Sequence, residues 1–100
     1  MEKRKAHYPL TKVRLLIKEQ RVEFTMTAVT GGAAMGFDAN EMLDVVSSLE
    51  NKNLYKSMTA HADHTVWHDV YHAGTRRGVV YLKLTIVENL LIISFKEKDE

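Results

Sequence analysis

Apolar positions recur along this chain at two different spacings, and the change falls near residue 54. Leu10, Val13, Leu16 and Ile17 follow Pro9 and Thr11 at helical spacing, which predicts an amphipathic helix over about 11–20 with Thr11 as its N-cap. Val22 and Phe24 alternate with charged neighbours and predict a short strand. Thr25 then caps a helix holding Met26, Val29, Ala33 and Met35. Asp38 and Glu41 have capping-box spacing, and Met42, Val45, Val46 and Leu49 extend a third helix over about 39–50. From residue 54 the period drops to two, with β-branched and aromatic residues prominent, which predicts strands near 54–60, 65–72, 79–87 and 90–96. The connections AGTRRG at 73–78 and EN at 88–89 are too short for a parallel crossover, so successive strands are expected to be antiparallel neighbours. The fold class is therefore α+β, an antiparallel β-sheet meander with about three N-terminal helices packed on one face.

A two-residue turn at Glu88 and Asn89 pairs Val87 with Leu90, which sets Tyr81 opposite Lys96, Lys83 opposite Ser94 and Thr85 opposite Ile92. The reverse face then carries Val80, Leu82, Leu84 and Ile86 against Leu91, Ile93 and Phe95 as core. Pairing His72 with Val79 across the AGTRRG loop sets His68 opposite Lys83, so that His68, Tyr81 and Lys96 share the polar face. Lys56 lies in the otherwise uncharged run Leu54 to Ala60, and its face is open at this stage.

Composition narrows what such a face does. One hundred residues, 45% of them hydrophobic, suffice for one core and one site, so residues 1–100 are expected to form a single domain. A net charge of +1 excludes a diffuse polycation, and any anion site has to be local. Positive charge gathers in residues 1–21, which hold seven Lys or Arg against two Glu, whereas residues 22–50 hold five acids and no Lys or Arg. The absence of cysteine removes disulfides, thiolate metal sites and cysteine nucleophiles. The longest apolar run is Leu90 to Ile93, so no membrane partner is expected and the localisation is expected to be cytoplasmic.

Lysines, a tyrosine and a histidine on one face suit phosphodiester cleavage of RNA, in which the substrate's own 2′-hydroxyl attacks phosphorus and neither cofactor nor metal is required. Such a site needs a proton acceptor for the 2′-hydroxyl, a proton donor for the departing 5′-oxygen and cations beside the phosphorane. His68 is the expected proton carrier because its ordinary pKa of about 6.5 lies near working pH. Lys56 and Lys96 would bind phosphate, and Tyr81 would orient it or exchange a proton beside a cation. Tyr55 and Met58, flanking Lys56, suit contact with a base or ribose, as core or surface packing also would. His61, His64, His68 and His72 have metal-ligand spacing only on a helix; on a strand His64 and His68 stand about 13 Å apart, too far for one ion.

The string LYKSMTAHADHTVWHDVY, with GVVYLKLTIV, LLIISFKEK and the N-terminal MEKR, resembles the motility quorum-sensing regulator (MqsR) family of bacterial type II toxins over almost the whole chain. The resemblance implies a RelE-like fold and a metal-independent endoribonuclease that cuts single-stranded mRNA at GCU-type sites and is neutralised by a cognate MqsA antitoxin. It also implies that Lys56, Tyr81 and Lys96 are catalytic, with Tyr55 and Met58 as substrate contacts; Lys83, on the same polar face by strand parity, is a further expected substrate contact. The family pattern has Gln where this chain has His68 and Arg where it has His72; Gln only hydrogen-bonds, whereas His also carries protons. The alternative reading is a non-catalytic module whose basic face binds RNA or protein.

Overall fold

The computed structural model of the chain describes residues 1–99. Its elements in order are β1 (Glu2–Lys3), α1 (Leu10–Lys18), β2 (Val22–Phe24), α2 (Met26–Ala34), α3 (Ala39–Ser47), a 3₁₀ turn (Asn51–Asn53), β3 (Leu54–Thr59), β4 (Trp67–Thr75), β5 (Gly78–Val87) and β6 (Asn89–Glu97). They build one six-stranded sheet in the order β1-β3-β4-β5-β6-β2. Strands β3 to β6 form the expected antiparallel meander, but the sheet as a whole is mixed. Val22–Phe24 pairs parallel with β6, and Glu2–Lys3 pairs antiparallel with β3. Both additions are two or three residues long, short enough to leave little exposed edge for further pairing.

Capping accounts for where two of the helices begin. The Thr25 hydroxyl accepts from the Ala28 amide at 3.0 Å to start α2. Asp38 and Glu41 make the reciprocal capping box that starts α3, with bonds of 2.8 and 3.0 Å. Helix α1 departs from expectation: Pro9, not Thr11, occupies its N-cap position, and no side chain caps it. Proline's fixed φ suits a helix entrance and it has no amide hydrogen to satisfy there, so Thr11 falls within the first turn. An Asp38→Ala variant is expected to lose about 1 kcal/mol, a fall in Tm of about 4–8 °C read by calorimetry.

The core lies between the helices and one face of the sheet. Leu10, Val13 and Leu16 of α1 and Met42 and Val46 of α3 pack with Tyr71, Ala73, Val80, Leu82, Leu84, Leu90, Ile92 and Phe95. Helix α2 approaches β6 so closely that a Cβ on Gly31 would collide with the Phe95 carbonyl oxygen. Only glycine permits that approach.

Two registers differ from expectation. The turn between β5 and β6 is tighter than two residues: Val87 pairs with Asn89 around Glu88, whose φ is 67°. A bulge then restores the expected pairing further on, since Leu84 faces Ile92 while Lys83 faces Ser94. Ile93 is the extra residue, so the core side of β6 is Leu90, Ile92 and Phe95 instead of Leu91, Ile93 and Phe95, and Thr85 faces Leu91. Between β4 and β5 the AGTRRG segment is mostly strand. Thr75 pairs with Gly78 around Arg76 and Arg77, so His72 meets Tyr81 and Val70 meets Lys83. The shift is two residues, which keeps every side chain on its expected face but moves each one place along it.

Candidate active site on the open face of the sheet

The face turned away from the helices collects the polar residues of β3 to β6 in parallel rows. One row runs His72, Tyr81, Lys96 across three strands. The next, about 7 Å along the strands, runs Lys56, Val70, Lys83, Ser94. A bulge between Leu54 and Lys56 leaves Lys56 opposite Val70, which settles the face of this lysine. Met58 and His68 pair in a third row. All four expected catalytic residues, Lys56, His68, Tyr81 and Lys96, thus share a face, as do Met58 and Lys83.

Their spacing is uneven. Lys96 lies against Tyr81, with Nζ 5.3 Å from the ring centroid. His68 does not reach this pair, because it lies four residues along β4 from His72, about 13 Å away, with buried Val70 between them. His68 opposite Lys83 is therefore corrected: Val70 holds that place. Burial holds the His68 imidazole below its ordinary pKa, the Lys83 charge adds to the effect, and Asp69 opposes it.

Lys56 is engaged by the N-terminal strand. Its ammonium donates to the Glu2 carboxylate at 2.5 Å and lies 5.4 Å from the centre of the Tyr55 ring. The hydrogen bond raises the pKa of the lysine and lowers that of the glutamate, so both stay charged. The Glu2 carboxylate thus occupies the Lys56 ammonium. Tyr55, partly exposed at the bulge, stacks on His72 with centroids 4.5 Å apart and planes 18° from parallel, and Arg4 lies 5.9 Å from its ring. A stacked pair of this kind offers a flat, cation-flanked surface suited to a nucleobase.

Cavity size alone would direct attention elsewhere. A depression of about 890 Å³ lies between the N-terminal segment and α1, lined by Arg4, Lys5, Arg14, Glu50 and Lys52 among others, and contains none of the expected catalytic set. Near the polar rows are two smaller ones: about 480 Å³ lined by His72, Val79, Glu97, Lys98 and Asp99, and about 360 Å³ bounded by Met26, Thr27, Thr30, Gly31, Ser94, Phe95 and Lys96. The polar rows are open and charged with hollows at their flanks, a shape that suits an extended polymer better than a small molecule.

Asp69 is a residue whose importance the sequence pattern did not single out. Fully buried on the core face of β4, its carboxylate accepts from the amides of His7 and Tyr8 at 3.0 and 2.9 Å and from the Ser57 hydroxyl at 2.6 Å. Above it His7 stacks on Trp67 at 5.1 Å, with the Lys3 ammonium 4.2 Å from the indole ring. This clasp carries the segment that brings Glu2 to Lys56. No group of three or more His, Cys, Asp or Glu is placed to hold a metal among the described residues, and no helix there is long and apolar enough to cross a membrane.

The family described as motility quorum-sensing regulator, toxin of MqsA, matches residues 5–97. The mRNA interferase toxin MqsR of Escherichia coli (strain K12) is 42% identical over 98 residues, covering 98% of this chain and 100% of that protein. A family match over nearly the whole length, joined by a relative matched over its entire length at that identity, establishes that this chain belongs to the motility quorum-sensing regulator family of toxins.

Proposed function

We propose that this chain is an mRNA interferase, the toxin of a toxin–antitoxin system, which cleaves single-stranded mRNA on the open face of its sheet and is neutralised by an MqsA-type antitoxin. The observation that carries the site assignment is the juxtaposition of Tyr81 and Lys96 on a lysine-bearing face whose other flank holds a stacked aromatic pair. With a phosphodiester over Tyr81, the phenol donates a hydrogen bond to a non-bridging oxygen. Lys96 meets charge developing on the 5′-oxygen, and Lys56 and Lys83 hold neighbouring phosphates. Tyr55 and Met58 contact a base beside the cut, and His68 lines the same strand-following track further along. The 2′-hydroxyl is the nucleophile, so the chain's own groups only bind charge and move protons, and no metal enters the chemistry. GCU-type sites and action in the cytoplasm belong to this reading.

A defined single-stranded RNA incubated with the purified protein in EDTA is expected to be cut, leaving 2′,3′-cyclic phosphate ends. The same RNA with one 2′-deoxy substitution at the cut position is expected to stay intact there. Cleavage of the deoxy-substituted bond would exclude attack by the 2′-oxygen. Tight binding without any cut would favour a non-catalytic RNA-binding module.

A further inference from the structure

His68 does not adjoin Tyr81, and the imidazole that does is His72. The two residues are direct cross-strand partners, with ring centroids 6.0 Å apart, while Lys96 is the partner of Tyr81 on its other side. His72 and Lys96 are thus two strands apart, about 10 Å between backbones, with the phenol between them. In-line displacement at phosphorus places the attacking and leaving oxygens on opposite sides of the reacting atom. A proton acceptor and a proton donor flanking a central hydrogen-bond donor match that requirement.

From this arrangement we propose that His72 is the proton acceptor of the cleavage, with Lys96 as the proton donor on the opposite flank. The inference rests on the ribonuclease reading and assigns the acceptor within it. In the step, the 2′-hydroxyl proton passes to the neutral imidazole as O2′ bonds to phosphorus. The bond from phosphorus to O5′ breaks and O5′ takes a proton from the Lys96 ammonium. The products are a 2′,3′-cyclic phosphate and a 5′-hydroxyl; the imidazolium then loses its proton and the lysine regains one from water, so the protein returns to its starting state.

Three further observations support the assignment. The Tyr55 ring stacked at 4.5 Å fixes the plane of the imidazole, as an acceptor with a defined direction requires. His72 is half-buried yet borders the 480 Å³ hollow, so a ribose has access to it. The groups facing it are Tyr55 from β3, Tyr81 from β5, and Glu97, Lys98 and Asp99 at the end of β6. Burial first, and the Lys98 charge second, hold the imidazole below its ordinary pKa, so it is neutral and ready to accept at pH 7.

The test is the pH dependence of kcat on a single-stranded RNA in EDTA for the wild type, His72→Gln and His68→Gln, with thermal unfolding to verify that each variant is folded. On the acid side, the wild type is expected to lose rate only as pH falls below the ordinary imidazole range. His72→Gln is expected to lose about 10²–10⁴-fold in kcat, with little change in KM and no acid limb remaining. His68→Gln is expected to keep the acid limb. A His72→Ala variant supplies a second test, since added imidazole should restore part of its rate. Wild-type cleavage with an unaltered acid limb in His72→Gln, or loss of that limb in His68→Gln, would overturn the assignment of His72. RNA left intact by the wild type would instead overturn the ribonuclease reading, and the assignment with it.

Discussion

Replacing Lys96 by alanine is expected to slow RNA cleavage by about 10²–10³-fold, the usual cost of removing one preorganised charge-stabilising group from a transition state. Lys96 is exposed and, among the described residues, makes no hydrogen bond that the fold depends on, so the loss should appear in kcat while the melting temperature stays within a degree or two. A second substrate separates its two contributions. With sulfur in place of the bridging 5′-oxygen the leaving group needs no proton, so most of the Lys96→Ala defect should vanish if proton donation dominates. Lys96→Arg keeps the positive charge but not a transferable proton near neutral pH, and it should remain slow on ordinary RNA while matching the wild type on the sulfur substrate. Equal defects on both substrates would show that Lys96 contributes charge and no proton. An undiminished rate in Lys96→Ala on ordinary RNA would remove the residue from the site.

Much of the placement of these side chains follows from the sequence, because β-strand parity is robust. Tyr81 opposite Lys96 follows from hairpin arithmetic, and it survives although the turn at Glu88 is one residue tighter than expected, since the Ile93 bulge restores the count. The same bulge defeats the core assignment nearer the turn, where Leu90 and Ile92 take the places expected of Leu91 and Ile93. No residue type marks Ile93 as a bulge, so periodicity alone cannot find it. The β4 to β5 register fails for a different reason: AGTRRG has the composition of a loop, yet Ala73, Gly74 and Thr75 continue the strand and Gly78, at φ 116°, begins the next. Because the error is an even number, faces are preserved and only neighbours change. That suffices to exchange His68 for His72 beside Tyr81. The edge pairings do not follow from the sequence: Glu2–Lys3 is too short to carry a period, and although alternation marks Val22–Phe24 as a strand, nothing local marks its parallel partner 68 positions along the chain.

Asp69→Ala is expected to lower stability by about 3–4 kcal/mol, and hence Tm by roughly 15–25 °C, because one substitution strips the partner from three donors at once. The amides of His7 and Tyr8 and the Ser57 hydroxyl lie where water cannot fully replace the carboxylate, and each unsatisfied donor of that kind costs about 1–3 kcal/mol. Asp69→Asn retains a carbonyl oxygen but turns the other acceptor into a donor, so it should fall between the two. The consequence extends beyond stability. The clasp holds the segment that aligns Glu2 with Met58 and Lys3 with Ser57, and through it the Glu2 carboxylate reaches Lys56. Loosening it should release Lys56 to bind phosphate, so at a temperature where the Asp69→Asn variant is still folded its KM for RNA should fall. Glu2→Gln, which removes the competing charge without touching the clasp, should lower KM as well while leaving Tm almost unchanged, since a solvent-screened ion pair at a sheet edge contributes little to stability. A lower KM in Asp69→Asn but not in Glu2→Gln would show that the clasp acts on the substrate track by some route other than the lysine. A Tm for Asp69→Ala within a few degrees of the wild type would mean that the three donors find other partners and that the N-terminal segment is not anchored by this carboxylate.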